Sequence, residues 1–263
     1  MKIALIQLDV HDNLWKPELI PALIEKAAGA DLVVFPECMP FDDIKNPPLI
    51  EDAKELLVKL GNNFGDTAFM AGGYVKDKAG VRNVVFLVYN GRVTDYYFKQ
   101  IKWHEEIVPG DQMKVFKWGK KFEYACIPLI CADAGDYSGV RKTTMMAKAV
   151  NLEEDLNVHG DDQIPIVICS YGGGLRTPYW HRALSGWTTG TNAPVVICGV
   201  SGRSHKYTYF DLEGKQQKMG GGGSGVFWPD GEIDQVSFRG VFILDTEHRT
   251  MDYRNLSKCA CDC

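Results

Sequence analysis

The chain has 263 residues, 45% of them hydrophobic and 24% charged, with a formal net charge of −5. This is an ordinary globular composition, and its interspersed charges give no electrostatic reason to expect nucleic acid or an anionic membrane as partner. No apolar run is long enough to span a bilayer, and residues 1–263 are read as a single domain with a short Cys-rich tail over about 256–263.

The N-terminal MKIALIQLDVHDN lacks a small-residue cleavage site and alternates like a first strand over Lys2–Leu8, which argues against a signal peptide. A helical pattern follows over Trp15–Ala28, then a strand over Leu32–Phe35 that runs straight into Pro36 and Glu37. A helix over Ile50–Asn62 precedes strands Ala68–Tyr74, Val84–Tyr89 and Val93–Phe98, the last two joined by an Asn90–Gly91 hairpin turn. Strand Tyr124–Ile130 delivers Cys131 into the small polar turn ADAGD, after which Gly139–Asn151 reads as helix. Strand Ile164–Cys169, helix Trp180–Thr189 and strands Val195–Val200, Gly225–Trp228 and Gly240–Leu244 complete the pattern, with a turn at Pro229–Asp230–Gly231. Such a mixture of βα units and hairpins predicts an α/β fold with a mixed sheet.

Two polar stretches interrupt this order. The acidic segment Asn151–Gln163 is read as a solvated loop, and the Gly-rich run GKQQKMGGGGSG (214–225) as a mobile surface loop without the Lys–Ser/Thr ending of a phosphate loop. Of eight cysteines, Cys38, Cys126, Cys131, Cys169 and Cys198 lie in or beside apolar strand-like runs. That is unlike a disulfide framework and fits a reduced, cytoplasmic setting. The terminal CACDC offers only three thiolates at cramped spacing, so a frayed tail is preferred to a metal site.

Three segments place reactive residues beside buried strands. In DLVVFPECMPF, Glu37 follows a strand and a proline, where desolvation raises a carboxyl toward base strength useful near neutrality. In DYYFKQIKWHEEIVPGD, Lys99 ends an aromatic strand and Glu105 precedes a Pro–Gly turn; an ammonium there can stabilise an oxyanion. In PLICADAGDYSG, Cys131 sits where a strand end gives way to a turn and a helix, the usual seat of chemistry in open α/β sheets. Taken alone, each also reads as a loop acid, a snorkelling lysine and a buried structural thiol.

Together, "VVFPE", "YYFK" and "PLICADAGDY" resemble, in order, the Glu–Lys–Cys triad of the nitrilase, or carbon–nitrogen hydrolase, superfamily. MKIALIQLD resembles its first strand, WTTGTNAPVVICGVSG its later helix–strand segment with Asn192, and SGVFWPDGEI its closing hairpin. Lys99, Trp103, Glu105 and Pro109–Gly110 resemble the arrangement of aliphatic amidases and formamidases. The pattern Lys102–Trp103–His104 also fits a family spelling, but Lys99 stands at the usual distance from the Asn90–Gly91 turn and is preferred.

The resemblance implies a four-layer αββα sandwich with mixed sheets, paired into a homodimer or larger homo-oligomer. It implies hydrolysis of a small-molecule amide to carboxylate and ammonia through a thioester on Cys131, without metal or organic cofactor. Glu37, Lys99, Cys131 and Glu105 form the implied catalytic set, with Glu106 the fallback for Glu105. Ala132, Asp133, Trp103 and Tyr171 form the implied oxyanion and substrate set, although Ala132 stands where the family usually has a larger residue. The same triad also serves N-carbamoyl-amine and nitrile hydrolysis; Arg176, His181 and Arg182 are candidates for a carbamoyl clamp. A catalytically silent scaffold on the same fold is the alternative of another class.

Overall fold

The computed structural model describes residues 1–8, 19–102, 105–134, 145–151, 164–171, 178–200, 203–210, 216–220, 223–236 and 239–256. The first half comprises β1 (Lys2–Gln7), α1 (Leu19–Ala27), β2 (Leu32–Val34), β3 (Pro40–Phe41), α2 (Ile50–Gly61), β4 (Ala68–Asp77), β5 (Gly80–Tyr89), β6 (Arg92–Phe98), β7 (Phe116–Trp118) and β8 (Tyr124–Ile130). A 3-10 turn, Cys131–Asp133, follows β8 directly. Then come α3, described over 145–151, β9 (Ile166–Cys169), α4 (Pro178–Thr191), β10 (Val195–Cys198), β11 (Arg203–Phe210) and β12 (Gln216–Gly220). The chain closes with β13 (Ser224–Phe227), β14 (Ile233–Val236), β15 (Gly240–Asp245) and β16 (Thr250–Asn255).

One sheet runs in the order β16-β15-β1-β2-β4-β5-β6, with β3 paired to β4; the other runs β14-β13-β10-β9-β8-β7. Both are mixed: β1, β2 and β4 pair in parallel and so do β8, β9 and β10, while hairpins add antiparallel neighbours. Period-two alternation explains the stacking. Ile3 and Leu5 of β1 turn toward Leu32, Val34, Met70 and the residues of the second sheet, such as Ile197 and Leu129. Ala4 and Ile6 turn the other way, toward Leu23 of α1 and Leu57 of α2. On the far side, Met145 and Ala149 of α3 and Leu184 and Trp187 of α4 cover the second sheet. The result is helices, sheet, sheet, helices: the expected four-layer αββα sandwich. Because strands such as β1 and β10 are covered on both faces, they are nearly continuous apolar runs.

Local rules account for the turns that aim the site. Asn90 and Gly91 both have positive φ, 50° and 66°, and Tyr89 pairs directly with Arg92, the geometry of a tight hairpin. Asn192 follows α4 with φ 54°, a left-handed stop that turns the chain toward β10.

Several strands depart from the expectation. The Gly-rich run is not all loop: Gln216–Gly220 forms β12 and pairs antiparallel with β11 in a separate ribbon, and β13 begins at Ser224. The strands without an apolar signature (β14, with burial falling only at Val236, and the exposed β16) pair as antiparallel edges of β13 and β15. Residues 152–163, the CACDC tail, Trp103 and Arg176 lie outside the described residues.

Candidate active site

The two sheets bring three strand ends together. Phe35, just past β2, donates its N–H to Met70 O at 2.9 Å, which carries the chain along β4 into Glu37. Gly72 N donates to Met39 O at 2.7 Å, holding the segment after Glu37 against the same strand. Glycine is required at this approach: a Cβ on Gly72 would strike the Val84 carbonyl, and one on Gly73, with φ 140°, would strike the carbonyl of Phe41. Glu37 is 6% exposed, and both of its carboxylate oxygens accept hydrogen bonds. Oε1 accepts from Lys99 Nζ at 2.9 Å and from Asn83 Nδ2 at 2.8 Å; Oε2 accepts from the Tyr171 N–H at 3.2 Å.

Lys99 follows β6. Its N–H donates to Asn83 O at 2.9 Å and its carbonyl accepts from Gly110 at 2.8 Å, so its backbone is pinned on both sides. The ammonium bridges two carboxylates, Glu37 at 2.9 Å and Glu105 at 2.5 Å. Burial opposes its charge, but Glu37, Cys131 and Glu105 outweigh burial and hold its pKa well above the ordinary lysine value. Lys102 and Glu106, the alternatives weighed from sequence, are both exposed.

Cys131 opens the 3-10 turn at the end of β8 with φ 42°, a left-handed conformation that a non-glycine residue adopts at a cost of about 1–3 kcal/mol. The bend stops the strand and presents the half-buried thiol beside the ion-pair cluster. Burial pushes the thiol pKa up to about 12; Glu37 adds to the rise, while Lys99 and the Ser170 hydroxyl oppose it. The thiol is thus protonated near neutrality and needs a base to become a nucleophile. Ala132, next in the turn, is buried.

Asp133 ends the turn. It is fully buried, and its carboxylate accepts from four protein donors: the Tyr97 hydroxyl at 2.8 Å and the N–H groups of Gln100, Ile101 and Ile130 at 3.0, 2.8 and 3.2 Å. Burial raises its pKa to about 6, against the pull of Lys99, Tyr97 and the backbone donors. Tyr171 meets the site through its backbone N–H. His181 packs edge-on against Phe227 and the Arg182 residue is exposed.

Sequence reasoning missed Asn83 and Ser170. Asn83 is a lone amide heading the apolar run VVFLVY, a signal that was available; Ser170 merely follows β9 and carries none. Among the described residues, the one group of three or more possible metal ligands is the exposed Asp245, Glu247 and His248 of the last hairpin, remote in sequence from Glu37, Lys99 and Cys131. No helix among them is long and apolar enough to cross a membrane.

Comparison with protein-family models finds no match, and comparison with curated proteins finds none either. Solved structures do match. A CN-hydrolase superfamily protein from Xanthomonas campestris superposes with a TM-score of 0.68 at 17% identity, over 94% of this chain and 91% of that one. The NitN amidase from Nesterenkonia sp. AN1 gives 0.63 at 19% identity, over 93% and 92%. A glutamine-dependent NAD+ synthetase from Acinetobacter baumannii gives 0.65 at 17% identity; 98% of this chain is covered, but it spans about half of that enzyme, 48%. This chain therefore has the fold of the carbon–nitrogen hydrolase, or nitrilase, superfamily.

Proposed function

We propose that the protein is an amidase-type carbon–nitrogen hydrolase, a single domain using Cys131 as nucleophile on a small amide. The observation that carries the reading is the buried Glu37–Lys99–Glu105 ion-pair chain beside the Cys131 thiol. A buried charge cluster that contributes little to stability is expected where charge is used in chemistry. Structural neighbours add support: a glutamate-to-glutamine variant of the Nesterenkonia amidase carries the acetamide moiety of fluoroacetamide on its active site cysteine.

In the proposed cycle, Glu37 takes the Cys131 proton as sulfur attacks the amide carbon. The C–S bond forms and the carbonyl electrons move to oxygen, held by Lys99 and the Ala132 N–H. The C–N bond then breaks, and Glu37 returns the proton to the departing ammonia. Water, deprotonated by Glu37, attacks the thioester; the C–S bond breaks, the acid leaves, and Cys131 regains its proton. Glu105 fixes the Lys99 ammonium between its two carboxylates.

The test is ammonia release from short aliphatic amides, glutamine-like amides, N-carbamoyl amines and nitriles, with Cys131→Ala alongside. Release from an amide, abolished by the substitution, supports the reading. Turnover confined to carbamoyl amines or nitriles would correct the substrate class. Silence across the panel, with Cys131 also inert to alkylation, would leave the scaffold reading.

A further inference from the structure

The end of β9 meets both ends of the proposed proton transfer. Ser170 continues the ladder to β10, its N–H donating to Cys198 O at 2.8 Å, and is 1% exposed. Its hydroxyl donates to Cys131 Sγ at 3.7 Å. The next residue, Tyr171, donates its N–H to Glu37 Oε2. Consecutive residues therefore touch the thiol and the carboxylate that would exchange a proton. Glu37 Oε1 already takes Lys99 and Asn83, which leaves Oε2, the oxygen on the Tyr171 side, as the freer of the two.

We infer that Ser170 is a further catalytic residue, whose hydroxyl donates a hydrogen bond to the Cys131 sulfur and stabilises the thiolate as it forms. A donor to a charged acceptor is worth more than one to its neutral form, so the contact strengthens as sulfur gains charge. A buried hydroxyl has little alternative, since leaving it unpaired costs free energy. The groups facing the thiol are then two carboxylates that oppose its ionisation, Glu37 and Glu105, and two that favour it, Lys99 and Ser170. Serine suits the place: a larger apolar residue would fill space beside the sulfur, and alanine would leave the thiolate with Lys99 alone.

The inference rests on Cys131 as nucleophile, so its test reads the thiol and not turnover. The full-length protein is treated with iodoacetamide from pH 6 to pH 10, and the rate is followed by mass spectrometry on the peptide containing Cys131. That choice separates it from the remaining cysteines. Ser170→Ala is expected to slow labelling about tenfold at pH 8, one hydrogen bond to a charged group, and to move the profile to higher pH. Ser170→Thr, which keeps the hydroxyl, is expected to restore the rate to within about threefold of wild type. Should the alanine variant not fold, Ser170→Gly makes the same deletion with no added bulk. Wild-type and alanine profiles that coincide would overturn the role of Ser170 while leaving Cys131 as nucleophile. A Cys131 that labels only after unfolding would overturn both.

Discussion

The Tyr97 hydroxyl donates to Asp133 Oδ2 at 2.8 Å, and that contact ties the two sheets together at the site. Tyr97 belongs to β6 of one sheet, and Asp133 ends the turn that begins at Cys131 of the other. The second oxygen of Asp133 takes the N–H groups of Gln100 and Ile101, directly after Lys99. One carboxylate therefore sets where the lysine loop stands relative to the thiol turn.

Replacing Asp133 by Asn puts an amide N–H₂ where one oxygen accepts two donors. With the amide nitrogen on the Oδ2 side the Tyr97 hydroxyl can turn to accept but the Ile130 N–H loses its acceptor, and on the Oδ1 side Gln100 and Ile101 both lose theirs; each buried loss costs about 1–3 kcal/mol. Asp133→Asn is expected to lower the melting temperature by several degrees and to cut kcat more than it raises KM, because the Lys99 loop shifts. Calorimetry and steady-state kinetics check this. An Asn variant with wild-type kcat would mean that Asp133 does not position the site.

Glu37→Gln separates ionisation of the thiol from catalysis. The Glu37 charge raises the Cys131 pKa, so removing it lowers that pKa and increases thiolate at a given pH. Alkylation at pH 8 is expected to be as fast as in wild type or faster. Amide turnover is expected to fall by about 10²–10⁴, the usual worth of a general base. Loss of both together would show that Glu37 holds the thiol in place and does not merely move its proton.

Much of this arrangement was legible in sequence because strand ends write themselves in residues. An apolar run stopping at Pro36–Glu37, another at Lys99 and a third at Cys131 mark three points delivered to one edge of the sandwich. Tertiary pairing was not legible in the same way. Gln216–Gly220 carries no apolar alternation, yet it forms a strand because its backbone finds β11. Asp133 is named for the substrate set because it stands two residues from Cys131, and sequence alone does not reveal that Tyr97 and the N–H groups of Gln100, Ile101 and Ile130 donate to its carboxylate. Asn83 is distant from Glu37 along the chain, and only the antiparallel pairing of β4 with β5 brings them together.

Asn83 itself supports a prediction that sets stability against function. It is 1% exposed, and among the described residues its Oδ1 has no hydrogen-bond partner. An unpaired buried carbonyl oxygen costs about 1–3 kcal/mol, about as much as the single bond from Nδ2 to the Glu37 carboxylate contributes. Asn83→Leu is of similar size and removes both the orphan and the bond. The melting temperature is expected to hold or rise, while kcat falls about tenfold as Glu37 loses one of the donors to Oε1. A variant that is both destabilised and fully active would assign Asn83 to the fold and not to the site.

Lys99→Met tests the charge cluster directly. Its side chain is 3% exposed, and Glu37 and Glu105 are 5% and 10% exposed, so removing the ammonium takes away the positive charge that these two buried carboxylates share. Breaking a buried pair in this way costs about 3–5 kcal/mol. Like charges held together raise a carboxyl pKa, so the folded variant binds a proton that the unfolded chain does not. The sign follows: stability is greater below the raised pKa and is lost as pH climbs through it. Lys99→Met is therefore expected to melt lower than wild type at pH 7.5 and to recover part of that loss at pH 5.5, with turnover absent at both. The exposed Lys102→Ala should match wild type in melting temperature and activity. If Lys102→Ala abolishes turnover and Lys99→Met does not, the oxyanion is held by the other lysine and the loop after β6 must rearrange when substrate binds.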